Sequence, residues 1–215
     1  SKNIFITQGA CGTTGLIGIL KPHIVDDIHI HERNPKEVSK YPNSRILYIF
    51  PNPYDLIISS AGRRYSSGSF LYYHCKNLGQ YVPDEDNKFI QLCDTVGHPP
   101  VECSTETVLM YYLELNQDIF GLENHYENWR NDKNRNYSIR FVKYEGLCNH
   151  GIELFNEWWG INIPPDKWFF KKRKADYTKL NKDVFSKLES MYGDWFEQYQ
   201  SLPLIEDVYP EEVVV

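Results

Sequence analysis

The 215-residue sequence has no apolar run long enough to span a bilayer, and its N-terminus lacks the charged-then-apolar pattern of a secretory leader. A soluble chain is expected, although a start at Ser1 without Met leaves a preceding anchor or leader open. Cysteine is sparse. The five residues Cys11, Cys75, Cys93, Cys103 and Cys148 are odd in number, widely spaced and free of any CxxC pair, which argues against a disulfide framework and against a zinc site. A reducing, cytoplasmic setting fits them best, and the lone sequon Asn136-Tyr137-Ser138 is too short a signal to change that. Positive charge is also short: a net charge of −6 opposes a general nucleic-acid binder, whose affinity for phosphates is built on Lys and Arg. There is no Gly-Lys-Ser/Thr of a Walker A loop, no internal repeat and no linker.

What the chain does have is the balance of an ordinary globular domain, 41% hydrophobic and 24% charged, with an unusual 15% of aromatic residues. Its length suits one domain over 1–215. Rings supply large contact area at little entropy cost, so this richness predicts an aromatic core or a ring-lined cleft. Strands are expected at Ile4-Phe5-Ile6, at the alternating Ile28-His29-Ile30-His31, at Arg45 to Phe50 before Pro51-Asn52-Pro53, and at Ser138 to Val142. Helical spacing predicts helices after Gly12, from Asp55, over Thr105 to about Phe120, around Trp129, and over Gly151 to Trp159 with Gly160 as its cap. A long amphipathic helix carries Leu180, Val184, Leu188, Met191, Trp195 and Tyr199 on one stripe. Residues from about 66 to 101 follow no clear pattern. Alternation of strand and helix predicts an α/β fold with a mainly parallel central sheet flanked by helices on both faces.

Chemistry is concentrated first in Gly9-Ala10-Cys11-Gly12-Thr13-Thr14, between a strand and a helix. Glycines let successive N–H groups turn inward, the helix N-terminus adds positive potential, and the two threonine hydroxyls can donate, so the loop suits a phosphate or sulfate. A plain strand-to-helix turn explains the same residues equally well.

Thr7 to Leu16 resembles the 5′-phosphosulfate loop of sulfotransferases, Thr-Tyr-Pro-Lys-Ser-Gly-Thr-Thr-Trp-Leu, matching it at Gly12, Thr13, Thr14 and Leu16. The pattern's lysine falls on Ala10 and its tryptophan on Gly15. Ile49 to Ser59 is similar to the family's strand running into Arg-Asn-Pro-Arg-Asp and a serine-bearing helix, with Asn52, Pro53, Asp55 and Ser59 in register and Pro51 where the arginine stands. His31 takes the place of the catalytic histidine between these motifs, and His29 is expected to point to the opposite face of its strand. Trp129, the strand at 138–142 and Tyr144-Glu145-Gly146-Leu147 resemble the later Trp helix, strand and Tyr-Glu-Asp-Leu segment. Lys171-Lys172-Arg173-Lys174-Ala175-Asp176-Tyr177 resembles the loop that closes over the 3′-phosphate; by itself the run reads as a solvated charge cluster or a nuclear or nucleic-acid patch, the latter opposed by the total charge.

The resemblance implies a P-loop nucleotide-binding fold and 3′-phosphoadenosine 5′-phosphosulfate as sulfuryl donor, with no metal. It implies His31 as general base, Gly9, Ala10, Cys11, Gly12, Thr13 and Thr14 around the phosphosulfate, Ser59, Lys172 and Arg173 at the 3′-phosphate, and Tyr144 beside the adenine. Arg63, Arg64 and the 171–174 run are the candidates to replace the missing lysine. The acceptor would be a hydroxyl or amine on a small molecule, glycan or peptide, and the aromatics Phe70, Tyr72, Tyr73 and Tyr81 would suit a ring-bearing one. The rival reading is a non-catalytic member of the same fold that binds a nucleotide, an anion or a protein.

Overall fold

The run Arg45-Ile46-Leu47-Tyr48-Ile49-Phe50 has no charged residue after its first, as a strand covered on both faces requires, and every residue after Arg45 is buried. The computed structural model describes residues 1–9, 13–65, 68–77, 88–96, 103–167, 170–172 and 176–211. Among them the elements run β1 (Asn3–Thr7), α1 (Thr13–Leu20), β2 (Arg45–Phe50), α2 (Pro53–Gly62), β3 (Arg64–Tyr65), β4 (Gly68–Ser69), α3 (Phe70–Asn77), α4 (Lys88–Val96) and α5 (Thr105–Leu113). They continue with α6 (Leu122–Arg130), β5 (Ser138–Lys143), α7 (Tyr144–His150), α8 (Glu153–Trp159), α9 (Lys182–Ser201) and β6 (Ile205–Val208). The chain divides into two compact units, one of Ser1–Asn52, Glu123–Lys172 and Leu202–Val215, the other of Pro53–Leu122 and Arg173–Ser201.

The first unit is built on a sheet in the order β1-β2-β5-β6. The first three strands are parallel, and β6 adds antiparallel to β5. Phe5, Leu47, Ile49 and Val142 point to one face, where Leu16 and Leu20 of α1, Leu147 of α7 and Phe155, Trp158 and Trp159 of α8 bury them. On the other face Tyr48, Phe50 and Phe141 meet Tyr126 and Trp129 of α6, with ring centroids 5.0 to 6.3 Å apart. Helices therefore cover both faces, and much of the aromatic content lies in this core. Helix α8 ends at Gly160 with φ of 65°, and the Gly160 N–H donates to the Asn156 carbonyl.

The edge strand β6 is not expected from the sequence, because Ile205-Glu206-Asp207-Val208 carries two acids. Each acid meets an arginine: Asp207 takes a bidentate bond from Arg140 at 2.7 and 2.8 Å, and Glu206 one from Arg130 at 2.9 and 3.2 Å.

The second unit is mostly helical. Val184, Leu188, Trp195 and Tyr199 of α9 are buried as the periodicity predicts, but Tyr192 is buried where Met191 is expected, and Leu180 precedes the helix and is only half-buried. Tyr54 of α2 stacks on Phe196 with centroids 4.3 Å apart and planes 5° from parallel. The α5 helix stops at Leu113, short of the expected Phe120. Asn116 there has φ of 49°, and the Ile119 N–H donates to the Tyr112 hydroxyl, so the chain turns where the apolar spacing continues. Tyr112 and Tyr192 share a hydrogen bond of 2.6 Å, and the Tyr192 hydroxyl donates to Asp118 at 2.6 Å. Among the described residues the stretch without a clear pattern holds α3, α4 and β4, which pairs antiparallel with β3 just before it.

Candidate functional site

Parallel strands present their carboxyl ends on one side of a sheet, which is where open α/β sheets bind ligands. At the end of β1 the Gln8 N–H donates to the Ile49 carbonyl at 3.2 Å and the Gly9 N–H to the Thr7 hydroxyl at 3.1 Å. Gly9 has φ of 98°, a conformation that L side chains resist, so the chain leaves the strand here through a residue best supplied by glycine. Ala10, Cys11 and Gly12 lie outside the described residues. Thr13 and Thr14 open α1, and their side chains lie outside them too.

The expected strand at Ile28 to His31 is not formed. The segment does follow the outer edge of β1: the Val25 N–H donates to the Asn3 carbonyl at 3.0 Å and the Thr7 N–H to the Ile30 carbonyl at 2.7 Å. Between these two points stand Asp26 and Asp27, and Asp27 turns outward to Tyr41 at 2.6 Å and Lys40 at 3.0 Å. That excursion interrupts the ladder, and the chain turns through the Glu32 N–H to His29 carbonyl bond.

His31 Nδ1 lies 2.7 Å from the Thr7 carbonyl oxygen. A carbonyl only accepts, so Nδ1 carries the proton and Nε2 presents a lone pair. Burial, against the help of that bond, pushes the pKa of His31 down to about 4, with His29 and Arg33 lowering it further. His29 does not face away. Its ring centroid is 5.5 Å from that of His31, and its Nδ1 accepts the His31 N–H at 3.3 Å, across the turn closed by the Glu32 N–H to His29 carbonyl bond; a strand would not have separated the two rings either, since residues two apart share a face.

Residues 31–33 are held from α6. The carbonyls of His31, Glu32 and Arg33 accept from His125 Nε2 at 3.3 Å, Trp129 Nε1 at 2.9 Å and Asn128 Nδ2 at 3.3 Å. His125 is buried, and burial, with Arg33 nearby, holds its pKa at about 3. Tyr48 joins His125 Nδ1 at 2.6 Å and accepts from Gln8 Nε2 at 3.1 Å. A cavity of about 410 Å³ opens beside this segment, lined by Arg33, Asn34, Lys36, Asn128, Asp132 and Asn134.

Of the other predicted residues, Tyr144 opens α7 and is buried in the core, and its hydroxyl donates to the Lys171 carbonyl at 3.2 Å. Lys171 and Lys172 are exposed, while Arg173 lies outside the described residues. Ser59 is half-buried on α2 of the second unit. Arg63 is exposed with its guanidinium 5.4 Å from the Phe70 ring centroid, and the Arg64 side chain and Tyr81 lie outside the described residues.

Sequence reasoning missed His125, Tyr48, Arg33 and Lys143. Lys143 ends β5 opposite Phe50, is only 6% exposed, and has its pKa lowered by burial. A buried lysine at a strand's carboxyl end is readable in outline, since Lys143 directly follows an apolar run; the others acquire meaning only from their neighbours in space.

Among the described residues no group of three or more His, Cys, Asp or Glu could hold a metal, and no helix is long and apolar enough to cross a membrane. Comparison with protein-family models, with curated proteins and with solved structures finds no match to this chain.

Proposed function

We propose that the chain is a sulfotransferase with a P-loop-type fold, moving the sulfuryl group of 3′-phosphoadenosine 5′-phosphosulfate to a hydroxyl or amine. The observation that carries the reading is the 2.7 Å bond from His31 to the Thr7 carbonyl, which puts the ring's lone pair on Nε2, at the strand end where the 9–14 loop begins. In the proposed step Nε2 takes the acceptor's proton as its oxygen or nitrogen attacks sulfur. The bond from sulfur to the bridging oxygen breaks, and adenosine 3′,5′-bisphosphate leaves with the electron pair. Loop N–H groups would hold the phosphosulfate, and the basic run at Lys172 and Arg173 the 3′-phosphate. A bound polyanion near His31 would raise the basicity that burial has lowered. A cytoplasmic home is part of the same proposal.

The second reading, a non-catalytic nucleotide or anion binder, is favoured by Ala10 at the lysine position and by the weak basicity of His31. Thermal unfolding with adenosine 3′,5′-bisphosphate tests both, since a ligand bound by the folded state raises stability. The sulfotransferase reading expects a rise in Tm, and His31→Ala is expected to lose about a hundredfold or more in transfer while still binding the nucleotide within a few-fold. A Tm rise with no transfer by the unaltered protein moves the assignment to the binder. Near-normal turnover by His31→Ala, or damage from His29→Ala instead, sinks the base assignment.

A further inference from the structure

His125 Nε2 faces a carbonyl, so it is the protonated nitrogen, and Nδ1 must accept from the Tyr48 hydroxyl. The Tyr48 hydroxyl has then spent its proton and can only accept from Gln8 Nε2. The bonds thus run in one direction, from Gln8 through Tyr48 and His125 to the backbone of His31. One end of this chain is the residue that leads into the 9–14 loop; the other is the histidine. It crosses a sheet face otherwise packed with Phe50, Tyr126, Trp129 and Phe141, where an apolar pair at 48 and 125 would fill space without the cost of burying polar groups. His125, Asn128 and Trp129 lie on one side of α6 and grip three successive carbonyls.

We infer that His125 and Tyr48 are positioning residues that hold His31 and the start of the 9–14 loop in one frame, so that the His31 ring keeps its proton on Nδ1 and offers Nε2. This inference rests on the reading of His31 as the base. Its effect is on the tautomer of His31, which can be observed without any turnover.

The test is long-range proton–nitrogen NMR of the histidine rings in the whole protein, with His31 identified by its loss in His31→Gln. His125→Gln keeps a donor where Nε2 was, and His125→Asn keeps an acceptor where Nδ1 was, at nearly equal loss of packing. Wild type and His125→Gln should show His31 protonated on Nδ1. His125→Asn should lower the ratio of the Nδ1–H to the Nε2–H form about five-fold, the equivalent of one neutral hydrogen bond. Transfer should fall in kcat by a similar factor, with the KM for the donor nearly unchanged. If His125→Asn does not fold, Tyr48→Phe serves instead: without the tyrosine proton, His125 should lose its preference for the Nε2–H form several-fold and His31 should follow. A His31 signal identical in wild type, His125→Gln and the folded test variant overturns the inference. The stated shifts in a protein that neither binds adenosine 3′,5′-bisphosphate nor transfers sulfate would support the positioning and sink the sulfotransferase reading.

Discussion

Acidification should destabilise this protein through His125, and replacing that one residue should remove a measurable share of the pH dependence. In the folded state the pKa of His125 is about 3 and that of His31 about 4, against 6.5 for an ordinary histidine. The unfolded chain therefore binds protons that the folded chain refuses. Stability is complete above pH 6.5 and is lost as the pH falls from there toward the folded values. At pH 5.5 an unfolded histidine carries nearly a full proton and folded His125 almost none, so His125 alone gives a slope of roughly 1 kcal/mol per pH unit. Between pH 7 and pH 5 that amounts to about 2 kcal/mol. His31 keeps some contact with water, and its share is discounted to about 1 kcal/mol. Against a total stability of about 5–15 kcal/mol, the loss is easily seen. Urea unfolding followed by tryptophan fluorescence at pH 7.5, 6.5, 5.5 and 5.0 would measure it for wild type and His125→Gln. Carboxylates contribute equally to both proteins, so the difference between the slopes isolates the histidine. The variant should be less stable at pH 7.5, yet its stability should fall less steeply, by about 1 kcal/mol per pH unit near pH 5.5. Parallel slopes would refute the claim that His125 is kept neutral by burial.

Gly146→Ala should destabilise the protein, because a Cβ at Gly146 would lie 3.0 Å from the Leu204 carbonyl oxygen and 3.2 Å from Val142 Cγ1. Overpacking costs about 1–3 kcal/mol, partly offset by about 1 kcal/mol of helix propensity, and a lowered urea midpoint would register the balance. Tyr192→Phe should cost about 1–3 kcal/mol by removing the donor to Asp118 and the partner of Tyr112; an unchanged midpoint would mean that water replaces it. Replacing Lys172 and Arg173 together by Ala should weaken binding of adenosine 3′,5′-bisphosphate far more than that of the analogue lacking the 3′-phosphate, as titration calorimetry would report. Equal losses would show a general charge effect. On the sulfotransferase reading, Ala10→Lys should raise any measurable transfer rate by supplying the cation that reading expects at the leaving phosphate, and a protein that binds donor yet stays inactive after this change is a binder.

Strands β1, β2 and β5, most of the stripe of α9 and the Gly160 cap were determined by the sequence itself, because they depend on periodicities of two or 3.6 residues and on local backbone freedom. The same local rules fail where distant partners decide. Ile28 to His31 alternates like a strand, but Asp27 is drawn away to Lys40 and Tyr41 and the ladder on β1 breaks. Strand β6 exists because Arg130 and Arg140, 76 and 67 residues away, neutralise its acids. In the candidate site, the sequence determined that a histidine and a glycine loop precede the second strand. Which nitrogen of His31 bears the proton was decided by a carbonyl 24 residues away, and His125, 94 residues away, gains its role only by standing against it in space. Tautomers, buried pKa values and edge pairing arise from groups brought together by packing, and no local pattern in the chain encodes such distances.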